Sequence, residues 1–308
     1  MDYRQVEAFV KVVELAGFSR AAEEMHVSQP SISNYITTLE KELNTILINR
    51  STKPLTTTFA GESFFDKAKE MLLLKQETFE MLRNLSDDVS GDLRILASSV
   101  PALYILPKIM AEFHMEYPGV SYTMKQADTA EVVQGISAYK ADIGFAGSII
   151  SNQKCEYTAI ADEELVFIAP KSETCFGEKE YSLDELLYSN SFISRGPGSG
   201  TRMQYEKYFV DNGIYLDKVR TCAAMDSTHS ILSAVKSGLG VSIVSRIAAV
   251  EMLESGTVQL IKLKEPLPMR KIYAVLNKKI THSHLVGLFM DYVKTFEGAD
   301  QIKIARNI

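Results

Sequence analysis

Residues 20–43 read RAAEEMHVSQPSISNYITTLEKEL, and the order of small, capping and apolar residues within them decides the N-terminal fold. Ser28 stands where a helix begins, and Pro30 is tolerated just inside it because a first-turn N–H has no helical acceptor to lose. Ile32, Ile36, Leu39 and Leu43 then form one inward stripe. The outward positions are Ser31, Ser33, Asn34, Thr37 and Thr38, short uncharged hydrogen-bonding side chains with no carboxylate before Glu40. Such a face suits a DNA major groove, where hydroxyls and amides reach base edges or phosphates and a carboxylate is repelled. The competing reading is a small helical bundle with a solvated polar face, the default for an isolated helix.

The flanks favour the first reading. Upstream, Val6, Phe9, Val10 and Val13 recur at the spacing of one buried helical stripe over residues 5–16. Gly17 is expected to stop that helix and Ser19 to cap a short second one, Arg20 to Met25, whose Ala21 and Ala22 allow close helix approach. Downstream, the only charges between Leu43 and Gly61 are the basic Arg50 and Lys53, and KPLTTT (53–58) offers a short extended wing. Three helices, tight turns and a basic wing read as a winged helix-turn-helix whose partner is double-stranded DNA.

The whole run FVKVVELAGFSRAAEEMHVSQPSISNYITTLEKELNTILINRSTKPLTTTFAG (9–61) resembles the DNA-binding domain of the LysR-type transcriptional regulators. The resemblance implies a homodimer, often a dimer of dimers, on an interrupted palindrome. By position it implies that Gln29, Pro30, Ser31, Ser33, Asn34 and Thr37 face the DNA while Arg50 and Lys53 hold its backbone or minor groove. One departure is Ile48, where the family usually carries an aromatic residue or leucine.

Residues 58–86 contain no proline, and Phe64, Ala68, Met71, Lys75, Phe79 and Leu82 recur close to the 3.5-residue period of a coiled-coil seam. A long amphipathic helix is expected, ending at the polar hinge SDDVSGD (86–92), and the family resemblance makes it the dimerising linker. A helix buried on its own protein is the competing reading. Beyond the hinge, apolar β-branched runs alternate with amphipathic helices, the pattern of parallel βαβ units. The expected fold class is α/β: an all-α winged helix-turn-helix over 1–58, a linker helix and hinge over 59–90, and an effector domain over 91–308. Two lobes facing a cleft, 91–161 with 268–308 and 162–267, match the type 2 periplasmic-binding-protein architecture that the resemblance implies.

Chemistry in the effector domain gathers where strands meet helices. Ser98 and Ser99 follow the first strand, and Asp128 with Thr129 follows the second. Open α/β sheets bind ligands beyond the carboxyl ends of their strands, although each of these residues also suits a simple helix cap. The strongest local signal is RGPGSGTR, Arg195 to Arg202: glycines that let several N–H groups turn inward, the hydroxyls of Ser199 and Thr201, and an arginine at each end. The order of a phosphate-binding Walker loop is missing. The segment resembles the effector loop of the LysR branch that regulates sulfur assimilation and carbon fixation, in which small anions act as effectors. Gly196 replaces the family's glutamate, and Asp128 and Asp226 stand where asparagine or glycine is commoner. The expected effector site therefore joins Ser98, Ser99, Asp128, Thr129, Arg195, Gly198, Ser199, Gly200, Thr201, Arg202, Asp226 and Thr228, and the two carboxylates make a zwitterion a competitor to a simple anion.

Other classes find less support. The 308 residues carry a net charge of −6, 46% apolar residues and no uninterrupted apolar run of membrane-spanning length, so a cytoplasmic protein without membrane partners is expected. Cys155, Cys175 and Cys222 are odd in number and scattered; a thiol redox switch stays an alternative. A solute-binding module would share the lobes but lack the DNA-reading helices. A small-anion enzyme would need convergent acid, base or metal groups, and no catalytic residue, metal ligand set or cofactor motif is visible; KSGLGVSIVS (236–245) reads as a tight helix-to-strand turn.

Overall fold

The computed structural model describes every residue except 51, 53, 84–88, 172–175, 178 and 297–308. Lys53, Cys175 and the first residues of the expected hinge lie outside the described residues, as does the side chain of Leu82. The chain divides into two compact units, Met1–Leu85 and Ser86–Ile308.

In the first unit, α1 (Tyr3–Glu14), α2 (Phe18–Glu24) and α3 (Gln29–Glu42) bury Val6, Phe9, Val10, Ala21, Ala22, Ile32, Ile36 and Leu39 in one core. Asp2 and Gln5 close a capping box at the start of α1, each bonding the other's backbone N–H. The α1–α2 junction departs from expectation. Ala16, at φ 47°, makes the left-handed turn, whereas Gly17 at φ 178° is extended backbone. Because Phe18 turns inward against the core, α2 begins before Ser19, which lies inside the helix and caps nothing.

A two-stranded antiparallel ribbon, β1 (Ile48–Asn49) with β2 (Thr56–Thr57), forms the wing and leads into α4 (Phe59–Arg83). Gly61 is needed at the base of α4: a Cβ there would lie 2.0 Å from the Leu47 carbonyl oxygen. The expected dimer seam is only partly available. Phe64, Ala68 and Met71 pack into this unit's own core, with the Phe64 ring 5.3 Å from Phe9, and the Lys75 ammonium sits 4.8 Å from the Tyr3 ring centre. Uncovering a buried ring such as Phe9 costs about 1.5–3 kcal/mol. The first half of the seam therefore stays docked on its own protein, and among the described side chains Leu74 and Phe79 are the large apolar ones that α4 leaves exposed along its second half.

In the second unit, β3 (Ser90–Ala97) is followed by a π-helical turn at Pro101–Ile105 that runs into α5 (Leu106–Glu116). Then come β4 (Gly119–Gln126), α6 (Thr129–Ser137), β5 (Ile143–Ala146) and the 16-residue β6 (Cys155–Pro170). The chain continues through α7 (Leu183–Ser189), β7 (Phe192–Arg195), α8 (Gly200–Asp211), β8 (Thr221–Met225) and α9 (Thr228–Lys236). It closes with β9 (Ser242–Ser245), α10 (Arg246–Glu254), β10 (Val258–Leu260), β11 (Met269–Asn277) and α11 (His284–Thr295).

β4, β3 and β5 are parallel, and β11 returns antiparallel beside β5. β6 is shared between two lobes: residues 155–164 pair with β11, while residues 165–170 pair with β9 and β10. The parallel pair β7–β8 joins the second lobe through a bridge from Phe192 to Val241. Phe113, Phe145 and Phe289 centre the first core, showing α11 back on the first lobe, and Phe167, Phe192, Tyr205 and Phe209 centre the second. β6 thus runs from one lobe into the other, with its ladder changing partner between Glu164 and Leu165, a few residues past the sequence-based boundary at 161. The parallel strands of both lobes end at Ala97, Gln126, Ala146, Arg195 and Met225, the topological position where α/β sheets take ligands.

Candidate functional site

On α3, Ser28 is the N-cap and accepts the Ser31 N–H at 3.3 Å. Gln29, Pro30 and Asn34 are exposed, and the amide groups of Gln29 and Asn34 make no hydrogen bond among the described residues. Ser31 and Ser33 are half-buried beside them. Thr37 is already engaged: its hydroxyl donates to the Ser33 carbonyl at 2.8 Å and accepts from Arg50 Nη2 at 3.0 Å. Arg50 also pairs with Glu40 at 2.8 Å, and Glu40 in turn accepts the backbone N–H groups of Leu47 and Ile48. The free amides therefore stand at the front of the helix, while Thr37 and Arg50 tie the wing to its middle.

In the second unit, the strand ends enclose a small cavity with about 20 Å³ of room for the centres of water-sized molecules. Since a single water needs roughly 10–15 Å³ measured this way, the cavity has room for a group of a few atoms. The first lobe contributes Ser98, Ser99, Val100, Ala127, Asp128, Thr129 and Gly147; the second contributes Arg195, Ser199, Gly200 and Thr201; Arg270 comes from β11. Arg195 and Arg270 are only 5% and 4% exposed.

Each guanidinium is held from behind. Arg195 Nη1 donates to Thr228 Oγ1 at 2.6 Å, and its Nη2 donates to the Asp226 carbonyl at 2.6 Å and across the lobes to Ser99 Oγ at 3.4 Å. Arg270 donates through Nε to Glu163, its cross-strand neighbour, and through Nη1 to Thr201 Oγ1 at 2.9 Å. The guanidinium lies against Gly147, where a Cβ would come within 3.0 Å of Nη1. Burial first, and the neighbouring Arg270 charge second, push the Arg195 pKa below its ordinary value.

Several polar groups in and around the wall lack hydrogen-bond partners. Arg195 Nε and Thr129 Oγ1 are buried without a hydrogen-bond partner, as is Ser148 Oγ next to Gly147. Ser199 caps α8 through its backbone alone, leaving its hydroxyl uncommitted and the first N–H groups of α8 without helical acceptors. The acceptors are fewer. Asp128 Oδ1 receives the Glu131 N–H at 2.8 Å in a capping box at the start of α6.

Four of the expected effector residues stand outside the wall. Thr228 and the Asp226 carbonyl position Arg195. Arg202 turns to Glu206 at 2.7 Å and to the Arg195 carbonyl at 3.2 Å. Gly198, at φ 86°, provides the left-handed turn, and a Cβ there would meet Asp128 Oδ2 at 2.5 Å. Gly196 is matched to Asp226 in the same way: a Cβ at 196 would lie 1.9 Å from Asp226 Oδ1, so the aspartate occupies the space that a longer residue 196 would need. Sequence reasoning missed Arg270, Glu163 and Gly147. The available signal was a charged residue in the inward phase of β11, on the same face as Ile272 and Ala274.

Cys155 is buried with its thiol 3.7 Å from the Val133 carbonyl, and burial pushes its pKa up. Cys222 is exposed and free. Among the described residues no cluster of histidine, cysteine and carboxylate side chains suits a metal ion, and no helix is long and apolar enough to cross a membrane.

Residues 3–62 match the bacterial regulatory helix-turn-helix protein, lysR family, and residues 86–297 match the LysR substrate binding domain. The chain belongs to the LysR family. This LysR-family regulator is 32% identical over 295 residues to the RuBisCO operon transcriptional regulator of Allochromatium vinosum, covering 95% of each chain. Full-length CbnR complexed with its target DNA shares the fold at a TM-score of 0.64 and 22% identity, over 96% of this chain and 99% of that one. The CcmR regulatory domain of Synechocystis PCC6803 in complex with 2-PG shares it at a TM-score of 0.61 and 22% identity, over 67% of this chain and 96% of that one.

Proposed function

We propose that this LysR-family regulator reads an interrupted palindrome in double-stranded DNA through paired α3 helices and changes its promoter activity when a small anionic metabolite fills the cavity between the lobes. The observation that carries the effector half is a pair of buried polar groups without partners, the donor Arg195 Nε and the Thr129 hydroxyl, on residues that line a cavity also lined by Arg270. A buried polar group without a partner costs about 1–3 kcal/mol, and an anion relieves both at once. The ligand acts on DNA only to the extent that it binds two arrangements of the lobes unequally. The DNA-bound and 2-PG-bound relatives supply the precedent for both partners. Paired operator half-sites call for a homodimer or tetramer, and a regulator of this kind works in the cytoplasm.

The test is a thermal-shift and calorimetric screen of small oxyanions, carboxylates and amino acids, because a ligand specific to the folded state raises its stability by mass action. Asp128 on the wall gives an amino-acid effector its one specific support. Asp128→Asn keeps an N-capping side chain; it should weaken a zwitterion and strengthen a simple anion. Failure of every anion and amino acid to stabilise the protein would remove the cavity from consideration.

For the DNA half, Asn34→Ala and Gln29→Ala should each weaken operator binding by about 1–3 kcal/mol and relax preference at particular bases. Gel-shift titrations against operator and scrambled DNA measure this. Wild-type affinity and selectivity in both variants would take the two amides off the reading surface.

A further inference from the structure

The charge balance around the cavity goes beyond the presence of an anion. Among the described residues of the second unit, Arg195, Arg270 and Glu163 are the charged side chains at least nine-tenths buried. Asp128, half-buried on the wall, and Asp226, exposed, both favour the charged form of Arg195, and water weakens their share. Two fixed guanidiniums and one fixed carboxylate leave at most one uncompensated positive charge, which the screened Asp128 and Asp226 reduce further, and buried charge persists only when balanced. Glu163 faces Arg270 directly across the β6–β11 ladder, and its Oε1 has no donor. It therefore projects negative charge toward the guanidinium that an incoming ligand must share.

We propose that the cavity selects a singly charged oxyanion group, a planar carboxylate-like or nitrate-like headgroup, and that Glu163 is the internal counter-ion that disfavours a doubly charged one. The inference rests on reading the cavity as the anion effector site. A singly charged group brings the buried set to neutrality, whereas a dianion leaves an unpaired negative charge beside the Glu163 carboxylate.

Calorimetric titration of the full chain with sodium nitrate, sodium formate and sodium sulfate at constant ionic strength tests this. Nitrate or formate should bind about tenfold more tightly than sulfate, and Glu163→Gln should abolish most of that difference by strengthening sulfate about tenfold. Tighter binding of sulfate to the wild type, or an unchanged ratio in Glu163→Gln, overturns the charge selection while leaving the anion site standing. Binding of none of the three overturns the anion site and the selection with it. If Glu163→Gln does not fold, the wild-type ranking decides alone.

Discussion

Arg270→Ala is expected to destabilise the second unit by about 3–5 kcal/mol, the cost of leaving one member of a buried ion pair without the other. Glu163 is 2% exposed and bonds to Arg270 Nε, and Thr201 Oγ1 loses the Arg270 donor in the same step. The pair is not expected to be worth that much as a net attraction, because desolvation offsets most of the Coulomb gain. Replacing both partners together, Arg270→Met with Glu163→Leu, should therefore recover most of the loss. Urea denaturation followed on the second unit's own transition gives both values. A change below about 1 kcal/mol for Arg270→Ala would mean that water reaches Glu163 and that the pair is not sealed.

That Arg270 has so large a predicted effect and no prominence in the sequence follows from what local patterns encode. Helix stripes, caps and glycine-rich turns are written within a few residues, and so α3, the βαβ order and the Arg195–Arg202 loop are legible. Glu163 and Arg270 are 107 positions apart and become neighbours only through the register of β6 on β11. The first ten residues of β6, CEYTAIADEE, are mostly half-exposed or exposed and lack an alternating apolar face, which hid the strand that carries Glu163. The pairing of Gly196 with Asp226 is hidden likewise: each substitution looks like an independent departure from the family until the fold shows them sharing one space. For α4 the apolar period was correctly visible but its partner was not, since the same stripe serves a neighbouring chain or α1 equally well.

Arg195→Ala is expected to reduce anion affinity by about 2–5 kcal/mol, the usual cost of truncating a buried charge partner at a binding site, and to leave operator affinity in the absence of ligand unchanged. In the wild type Arg195 is preset: Thr228, the Asp226 carbonyl and Ser99 fix its two Nη atoms and leave Nε to be satisfied. Burial and the Arg270 charge disfavour its cation, so an entering anion gains from both guanidiniums. Arg195→Lys keeps a positive charge but loses the planar fork that Thr228 and the Asp226 carbonyl hold in place, and it should restore only a small part of the lost affinity. Ligand titration by calorimetry and gel shift with and without ligand separate the two effects. An Arg195→Ala protein that binds the anion with wild-type affinity would show that the unpartnered polar groups are structural, and the effector would have to be sought away from this cavity. Loss of ligand response with operator binding intact, by contrast, would place Arg195 on the ligand side of the switch, because the reading helix α3 belongs to the other compact unit and owes its local structure to a separate core.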